Sequence, residues 1–321
     1  MIEARQGDRI VDVVIAAWNC AGTIERAIRS ALAEPEVSKV LVVDDASSDG
    51  SLARAAGAAR EDERVMVRAL PTNRGPSAAR NAALALSSAP WVTILDGDDF
   101  FLPGRIGKLL AVCGAYDFVA DDLLQVDEAQ IGTAEPRPAL TRQPAPWRLD
   151  FESFVAGNAS RRGLPRRELG FLKPLMRRAF LARHDLRYEE GLRLGEDYAL
   201  YAHALALGAR FLVLPACGYV AVVRANSLSG AHTKQDLERL RDFDRKLKAI
   251  GGLSQADRRA LGVHTRSVDA RVRWLAVIDG FRARSPARFL SPFACSPVVS
   301  GFLVRQLVAE GVRRISVGLS Q

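Results

Sequence analysis

The chain has 321 residues, of which 48% are hydrophobic and 26% charged, and its formal net charge is +8. The length exceeds what one ordinary domain needs, and the composition is that of a globular protein. Aromatic residues make up only 7%, and the sequence has no zinc-finger spacing or aromatic-interleaved basic patch, which argues against nucleic acid as a partner. An anionic substrate and an anionic membrane surface remain as explanations of the positive charge.

The spacing of the cysteines indicates a reducing compartment, and the hydropathy of the chain bears on membrane insertion. The four cysteines lie far apart and form no CxxC pair, which argues against a zinc site or a disulfide framework. The first residues, M-I-E-A-R-Q-G-D-R, are polar and unlike a signal peptide. No uninterrupted apolar run reaches the roughly 18–20 residues that a membrane-spanning helix needs. We therefore expect a cytoplasmic protein.

The first hundred residues alternate apolar strands with helices. Strands are predicted over residues 10–17, 39–43, 65–69 and 91–95. Helices are predicted over residues 24–33, over residues 51–60, and from within 71–81 to about residue 87. Because strand alternates with helix, we predict an α/β fold with a parallel, doubly wound sheet.

Polar side chains follow three of these strands at the point where each strand ends. They are Trp18 and Asn19, Asp44 and Asp45, and Asp96, Asp98 and Asp99. Such a row on one edge of a parallel sheet is where a nucleotide crevice forms. The glycine-rich fingerprints G-x-G-x-x-G after the first strand and G-x-x-x-x-G-K-[ST] are absent. A nucleotide here would therefore be held by carboxylates, a metal and arginines.

The most informative stretch is 91–101, W-V-T-I-L-D-G-D-D-F-F, where a buried strand is followed by three carboxylates. Carboxylates crowded at the end of a strand repel one another and lose solvation. A divalent cation relieves both costs, and hard oxygen ligands suit Mg²⁺ or Mn²⁺. The alternative is a polar turn, because Asp and Gly are common turn residues.

The second half of the chain is less regular and ends in helices. Its predicted strands cover residues 116–121, 211–215 and 218–223, and a proline-rich surface loop is expected over 135–147. Helices are predicted over residues 103–116, 198–207, 237–250, 254–261, 268–283 and 302–312, with one more after residue 176.

Five motifs, in this order along the chain, resemble family 2 glycosyltransferases of the GT-A fold. They are V-V-I-A-A-W-N, V-V-D-D-A-S-S-D-G-S, N-R-G-P-S-A-A-R-N, L-D-G-D-D and G-E-D-Y. The resemblance covers roughly residues 10–232 and implies a mostly parallel sheet and an inverting enzyme that uses a nucleotide-sugar and Mg²⁺ or Mn²⁺. The stretch over residues 195–232 looks most like the glucosyltransferases of succinoglycan-type exopolysaccharide biosynthesis.

The resemblance also implies roles for individual residues. The nucleotide-sugar would contact Ala16, Trp18, Asp45, Arg80, Asp96, Gly97 and Asp98. The metal would be held by Asp98 and Asp99, with His232 as an additional ligand or a contact of the diphosphate. Asp197, preferred over Glu196, would be the general base, because a carboxylate near a helix N-terminus is stabilised by the helix dipole.

Each role has a structural alternative. Trp18 could be a core tryptophan, Arg80 an exposed helix arginine, and His232 an exposed loop residue. Asp197 could be an ordinary acidic residue in the first turn of a helix. Asp44 is expected to shape the loop after the second strand, whereas Asp45 would accept from the base of the nucleotide.

The C-terminal part, residues 233–321, is predicted to be a helical extension of a GT-A domain over residues 1–232. Its basic residues flank apolar positions: Arg271, Arg273, Arg282, Arg284 and Arg288. Basic residues beside an apolar face suit peripheral contact with the inner membrane face. A helical bundle that packs on the catalytic domain with a solvated basic face explains the pattern equally well.

The function that these observations favour is transfer of a sugar from a UDP-sugar, with UDP-glucose preferred, to a saccharide acceptor. The acceptor would be an oligosaccharide on a polyprenyl-diphosphate carrier. A metal-dependent nucleotide-sugar phosphohydrolase and a non-catalytic UDP-binding module are the alternatives.

Overall fold

The computed structural model describes residues 9–140, 143–160, 167–224 and 233–318. Its strands are β1 Val11–Ala17, β2 Val37–Asp44, β3 Val65–Ala69, β4 Trp91–Ile94, β5 Phe100–Phe101, β6 Phe118–Asp121, β7 Leu124–Asp127, β8 Arg137–Pro138, β9 Trp147–Leu149, β10 Leu175–Arg177, β11 Phe211–Leu214 and β12 Tyr219–Val223. Its α-helices are α1 Ile24–Leu32, α2 Ser51–Glu61, α3 Pro76–Leu84, α4 Arg105–Leu110, α5 Phe151–Asn158, α6 Arg178–Arg183, α7 Glu196–Ala206, α8 Lys234–Leu247, α9 Gln255–Arg282, α10 Pro286–Leu290 and α11 Pro297–Gly318.

The large sheet has the strand order β3-β2-β1-β4-β10-β6-β11-β9. Its first four strands are parallel, β10 runs antiparallel to both β4 and β6, and β11 is parallel to β6. The predicted α/β fold with a mostly parallel sheet is confirmed. Since β2, β1 and β4 are neighbours, the polar residues after these strands lie at one edge of the sheet, as predicted.

A smaller sheet, β5-β12-β7-β8, lies beyond that edge and was not predicted. Strands β5 and β8 have two residues each, and β7 has four. Segments this short have too few residues to show the alternation of apolar and polar residues that identifies a strand. The small sheet matters for the site because β5 directly follows the acidic loop after β4 and pairs with β12.

Apolar side chains cover both faces of the large sheet. One core holds Ile15, Ile24 and Val42, and the other holds Val14, Phe118 and Tyr201. Because the strands are buried on both faces, their sequences are continuous apolar runs and do not alternate between apolar and polar residues.

The C-terminal helices share the second of these cores. Leu240 on α8 and Leu261 on α9 are buried in the same cluster as Tyr198 on α7. Helices α8 and α9 each begin with a capping box, Thr233 with Asp236 and Ser254 with Asp257. These two helices therefore pack on the catalytic domain. Within the described ranges, no helix has both the length and the apolar composition of a membrane span.

Two helix predictions need correction. Residues 254–261 and 268–283 were predicted as separate helices but belong to the single helix α9. The predicted helix over residues 103–116 is shorter, consisting of α4 and a 3₁₀ turn over Cys113–Ala115.

Candidate functional site

The base-binding side of the predicted crevice is formed by the loops after β1 and β2. Asp45 is buried, and its carboxylate accepts from the backbone N–H groups of Arg74 at 2.8 Å and Gly75 at 2.7 Å. This contact ties the end of β2 to the loop that opens α3. Asp44 accepts from the Ser47 N–H at 3.0 Å, so it shapes its loop as expected.

Trp18 is 45% exposed, which rules out the core alternative. The loop that carries it is fixed from the neighbouring strand: the Asn19 N–H donates to Ser47 Oγ, and the Ser48 N–H donates to Asn19 Oδ1. The indole is therefore an exposed aromatic surface on a restrained loop beside Asp45. Its contact with a nucleotide base stays a prediction.

Ala16 and Gly97 lie where β1 and the acidic loop meet. Thr23 Oγ1 donates to the Gly97 carbonyl oxygen at 2.8 Å. A Cβ at residue 97 would lie 3.0 Å from Cys20 Sγ and 3.6 Å from the Ala16 carbonyl oxygen. The glycine of the L-D-G-D-D motif therefore permits a close approach of two loops.

The centre of the site is a group of ion pairs, which we call the charge cluster: Arg80, Lys173, Asp96, Glu196 and Asp197. The Arg80 guanidinium contacts Asp96 at 2.7 Å, Glu196 at 2.9 Å and Asp197 at 3.2 Å. Lys173 Nζ contacts Asp197 at 2.6 Å and Asp96 at 2.9 Å. Arg80 and Lys173 are each 4% exposed. The alternative of an exposed helix arginine at position 80 is therefore wrong.

The charges of this cluster stabilise one another. Burial opposes the charge on Lys173, but Asp197 and Asp96 outweigh it and raise the pKa of Lys173 above its ordinary value. Burial likewise opposes ionisation of Asp96, but Lys173 and Arg80 hold the pKa of Asp96 well below its usual range. Burial and the neighbouring Asp197 raise the pKa of Glu196, against the effect of Arg80.

Asp197 is the second residue of α7 and is 6% exposed. Its two carboxylate oxygens face different cations, Oδ1 toward Arg80 and Oδ2 toward Lys173. This arrangement is more than the acidic first turn of an ordinary helix, since both oxygens are held by side chains from other elements. The role of Asp197 as base stays a prediction.

The two remaining acidic residues differ in accessibility. The Asp98 side chain is 42% exposed, with Arg224 Nη1 at 3.7 Å. Burial and the nearby Asp96 raise the pKa of Asp98. Asp99 is 7% exposed, and its oxygens accept from Tyr219 Oη at 2.8 Å and the Val222 N–H at 2.9 Å. Burial, Asp96 and Asp98 raise the pKa of Asp99 to about 8. Asp98 is therefore the carboxylate that can reach a ligand.

The acidic loop fits a metal site in which the bound substrate supplies the other ligands. Across residues 9–140, 143–160, 167–224 and 233–309, no group of three or more His, Cys, Asp or Glu side chains could hold an ion. His232 lies outside the described residues. Mg²⁺ is commonly bound by one or two carboxylates together with substrate phosphates, and Asp98 supplies such a carboxylate. A bound cation would offset both the burial of Asp98 and the repulsion from Asp96, which together raise the pKa of Asp98.

Sequence reasoning missed Lys173. Its only signal is one lysine inside the apolar segment F-L-K-P-L-M before β10. A lysine in such a segment is expensive to bury without a carboxylate partner. That cost could have pointed to the acidic residues, although not to which of them.

The sequence comparisons match one family model and two relatives that cover most of the chain. The model of the family described as "Glycosyl transferase family 2" matches residues 12–154. The chain is 48% identical to the succinoglycan biosynthesis protein ExoU of Rhizobium meliloti (strain 1021), over 91% of this chain and 86% of that protein. It is 34% identical to ExoO of the same organism, over 96% of this chain and 88% of that protein.

Among solved structures, the crystal structure of S. aureus TarS 1-349 in complex with UDP-GlcNAc has a TM-score of 0.63. The sequence identity is 20%, and the match covers 88% of this chain and 90% of that one. A likeness at this identity shows the fold, which is the predicted GT-A fold.

The charge cluster predicts a large loss of stability for Lys173→Met. The variant removes the cation that faces Asp96 Oδ2 and Asp197 Oδ2 and leaves Arg80 as their only partner in the charge cluster, so the free energy of unfolding should fall by roughly 3–5 kcal/mol. Urea denaturation measures this quantity. The control is Lys234→Met, because Lys234 pairs with Glu238 at 4.0 Å on the surface and should change stability by less than about 1 kcal/mol. Equal losses in the two variants would contradict the account.

Proposed function

Because the chain belongs to glycosyltransferase family 2, we propose that it is an inverting enzyme that transfers glucose from UDP-glucose to a saccharide acceptor. The observation that carries this proposal is the position of Asp197, held by Arg80 and Lys173 beside the acidic loop after β4. UDP is favoured as the nucleotide because TarS has this fold and was crystallised with UDP-GlcNAc.

The acceptor in this proposal is a growing oligosaccharide on a polyprenyl-diphosphate carrier. Two relatives whose names place them in succinoglycan biosynthesis match nearly the whole chain, which supports exopolysaccharide assembly as the setting. Such an acceptor is presented at the inner membrane face, where a cytoplasmic enzyme would meet it.

The reaction is a single displacement at the anomeric carbon. The acceptor hydroxyl oxygen forms a bond to that carbon while the bond from the carbon to the diphosphate oxygen breaks, and UDP leaves with the electron pair. Asp197 accepts the proton of the hydroxyl as general base. The base of UDP lies against Trp18 and Asp45, and Arg80 contributes the guanidinium nearest the diphosphate.

The proposed metal is Mg²⁺ or Mn²⁺, and Asp98 would be the residue that holds it. When bound, the ion stabilises the charge that develops on the departing diphosphate. Asp99 and His232 are the further candidates. Asp99 would need to exchange its contacts with Tyr219 and Val222 for the ion, so it more readily positions the acidic loop.

The two alternative functions predict different products. A phosphohydrolase releases UDP or a sugar phosphate without an acceptor, whereas a binding module releases nothing. We expect UDP release from UDP-glucose to depend on an added acceptor saccharide. Measurement of UDP with and without acceptor separates the three functions, and acceptor-independent release at full rate would overturn the proposal.

Asp197→Asn is the direct test of the base. Turnover should fall by roughly 10²–10⁴-fold with UDP affinity nearly unchanged, because the variant binds the donor but cannot take the proton. Asp257→Asn is the matched control, since Asp257 is a carboxylate in the first turn of α9, far along the chain from the site. It should lose about 1 kcal/mol of stability or less and keep its turnover. A folded Asp197→Asn enzyme with near-normal turnover would refute the assignment.

Metal removal gives an independent prediction. EDTA should abolish transfer, and Mn²⁺ or Mg²⁺ should restore it, because the charge on the departing diphosphate would otherwise be poorly compensated. Initial rates after exhaustive chelation and after re-addition of each ion measure this effect. Full activity in the chelated enzyme would exclude the metal role.

The proposed membrane contact lies at the C-terminal end of the chain. Large apolar side chains are exposed there at Phe281, Leu290, Val298, Val304 and Val308. Exposed arginines lie in the same segment: Arg282, Arg284, Arg288 and Arg305. Exposed apolar and basic side chains together suit the headgroup region of an anionic membrane.

Arg273 does not belong to this surface. It donates to Asp269 at 2.8 Å and to the Pro292 carbonyl oxygen at 3.0 Å, so it ties α9 to the 3₁₀ turn that follows α10. The earlier expectation that Arg273 lies on a lipid-facing surface is therefore not supported by its contacts.

We expect binding to anionic vesicles that weakens with salt, because such attraction is screened within about 8–10 Å at physiological ionic strength. Replacing Arg282, Arg284 and Arg288 with Gln should weaken binding by on the order of 1 kcal/mol per residue near the surface. Transfer to a short, soluble acceptor should be unchanged. The control with equal charge change replaces three exposed arginines of the catalytic domain, Arg29, Arg60 and Arg68. Vesicle sedimentation measures this binding. Equal binding by the two triple variants, or no binding by the unmodified protein, would contradict the proposal.

A further inference from the structure

The helix that carries Asp197 is bound to the C-terminal helices through its next residue. Tyr198 is 4% exposed, and its hydroxyl donates to Asp244 Oδ1 on α8 at 3.1 Å. The same hydroxyl lies 3.1 Å from His264 Nδ1 on α9. The contacts of α7 thus extend from the charge cluster on one side to the C-terminal extension on the other.

Asp244 is the centre of this second network. It is completely buried, and three side chains surround its carboxylate: Tyr198, His264 with Nδ1 at 2.8 Å, and Thr265 with Oγ1 at 3.1 Å. Burying a carboxylate is costly unless it is well hydrogen-bonded, and a buried polar network that is fully bonded fixes one arrangement of the elements it joins. The buried carboxylate of Asp244 therefore fixes the first turn of α7, which carries Tyr198.

Packing contacts also restrain the first turn of α7. The Tyr198 ring stacks on His264 with a centroid distance of 4.4 Å and on Phe154 with 5.6 Å. Leu240 of α8 closes over Gly195, where an added Cβ would lie 3.3 Å from its Cδ1. Gly195 has a φ of +72°, which favours glycine, and it immediately precedes α7.

We infer that Asp244 is a positioning residue for the general base and that it acts through Tyr198. Successive residues of a helix are about 100° apart around its axis, so a fixed Tyr198 fixes the direction in which Asp197 projects. Asp197 then meets Arg80 and Lys173 in one orientation. This inference rests on the proposed function, because it assigns Asp244 a part in the same reaction.

The consequence is that the C-terminal helices contribute to turnover itself. Misplacement of a catalytic group by about 1 Å can cost on the order of 10²-fold in rate. Loss of the network should therefore lower kcat. The binding of UDP should stay unchanged, because its proposed contacts come from the residues after β1, β2 and β4 and from Arg80 on α3, and none of these residues belongs to the Asp244 network.

The test uses the full chain with the variants Tyr198→Phe and Asp244→Asn. Tyr198→Phe removes only the hydroxyl and keeps the stacked ring, so it remains informative if Asp244→Asn fails to fold. We expect kcat per folded enzyme to fall about 10- to 100-fold, with the KM for UDP-glucose within about twofold of the unmodified enzyme. Asp242→Asn on the same helix is the control, since Asp242 is 53% exposed and pairs with Arg245 at the surface. It should keep kcat.

A double-mutant cycle with Asp197→Asn separates positioning from general loss of structure. If Tyr198 acts through the base, Tyr198→Phe should change the residual rate of the Asp197→Asn enzyme by less than about twofold. An equal fold-loss in both backgrounds, or a rise in KM without a fall in kcat, would overturn the inference. Near-normal turnover of Asp197→Asn would instead overturn the proposed function, so the two failures are distinguishable.

Discussion

The arrangement of the site depends on the burial of two cations, Arg80 and Lys173, among three carboxylates. Buried charges are tolerated only when they are paired, and removing one partner leaves the other with the full cost of desolvation. The members of this cluster come from α3, from the end of β4, from the segment before β10 and from α7. Since β10 lies beside β4, the antiparallel strand brings Lys173 to Asp96. The ion pairs thereby join the parallel half of the sheet to α7, the helix that carries the proposed base.

This constraint also bears on the proposed chemistry. Two cations and three carboxylates leave the cluster with an excess of negative charge, and Asp98 lies next to it. A donor diphosphate entering this region would be repelled unless its charge were compensated. A divalent ion held by Asp98 would supply part of that compensation. The proposed metal would therefore favour binding of the anionic donor as well as departure of the diphosphate.

The N-terminal half of the fold could be predicted because its signals are local. Apolar runs ending in Trp18, Asp45 and Asp96 identify the edge of the sheet, and the parallel order of β2, β1 and β4 brings these ends together. The roles of Lys173 and Asp244 could not be predicted. Their partners are distant in sequence, and a single lysine or aspartate forms no repeating pattern that would identify its surroundings. The break predicted between residues 261 and 268 has a physical cause as well. Gly262, His264 and Thr265 are poor helix formers, but packing of His264 and Leu261 in the core overrides that weak preference.

The C-terminal extension combines two properties that the sequence did not separate. Helices α8 and α9 pack in the core and hold Tyr198, whereas the end of α9 and the helices beyond it expose apolar and basic side chains. Helix α9 spans both regions, with His264 in the buried network and Arg282 at its end. Eighteen residues at about 1.5 Å each place these two positions about 27 Å apart along one rigid element. If the exposed end contacts a membrane as proposed, α9 joins that contact to the buried network around Tyr198, and through Tyr198 to the helix that carries the proposed base.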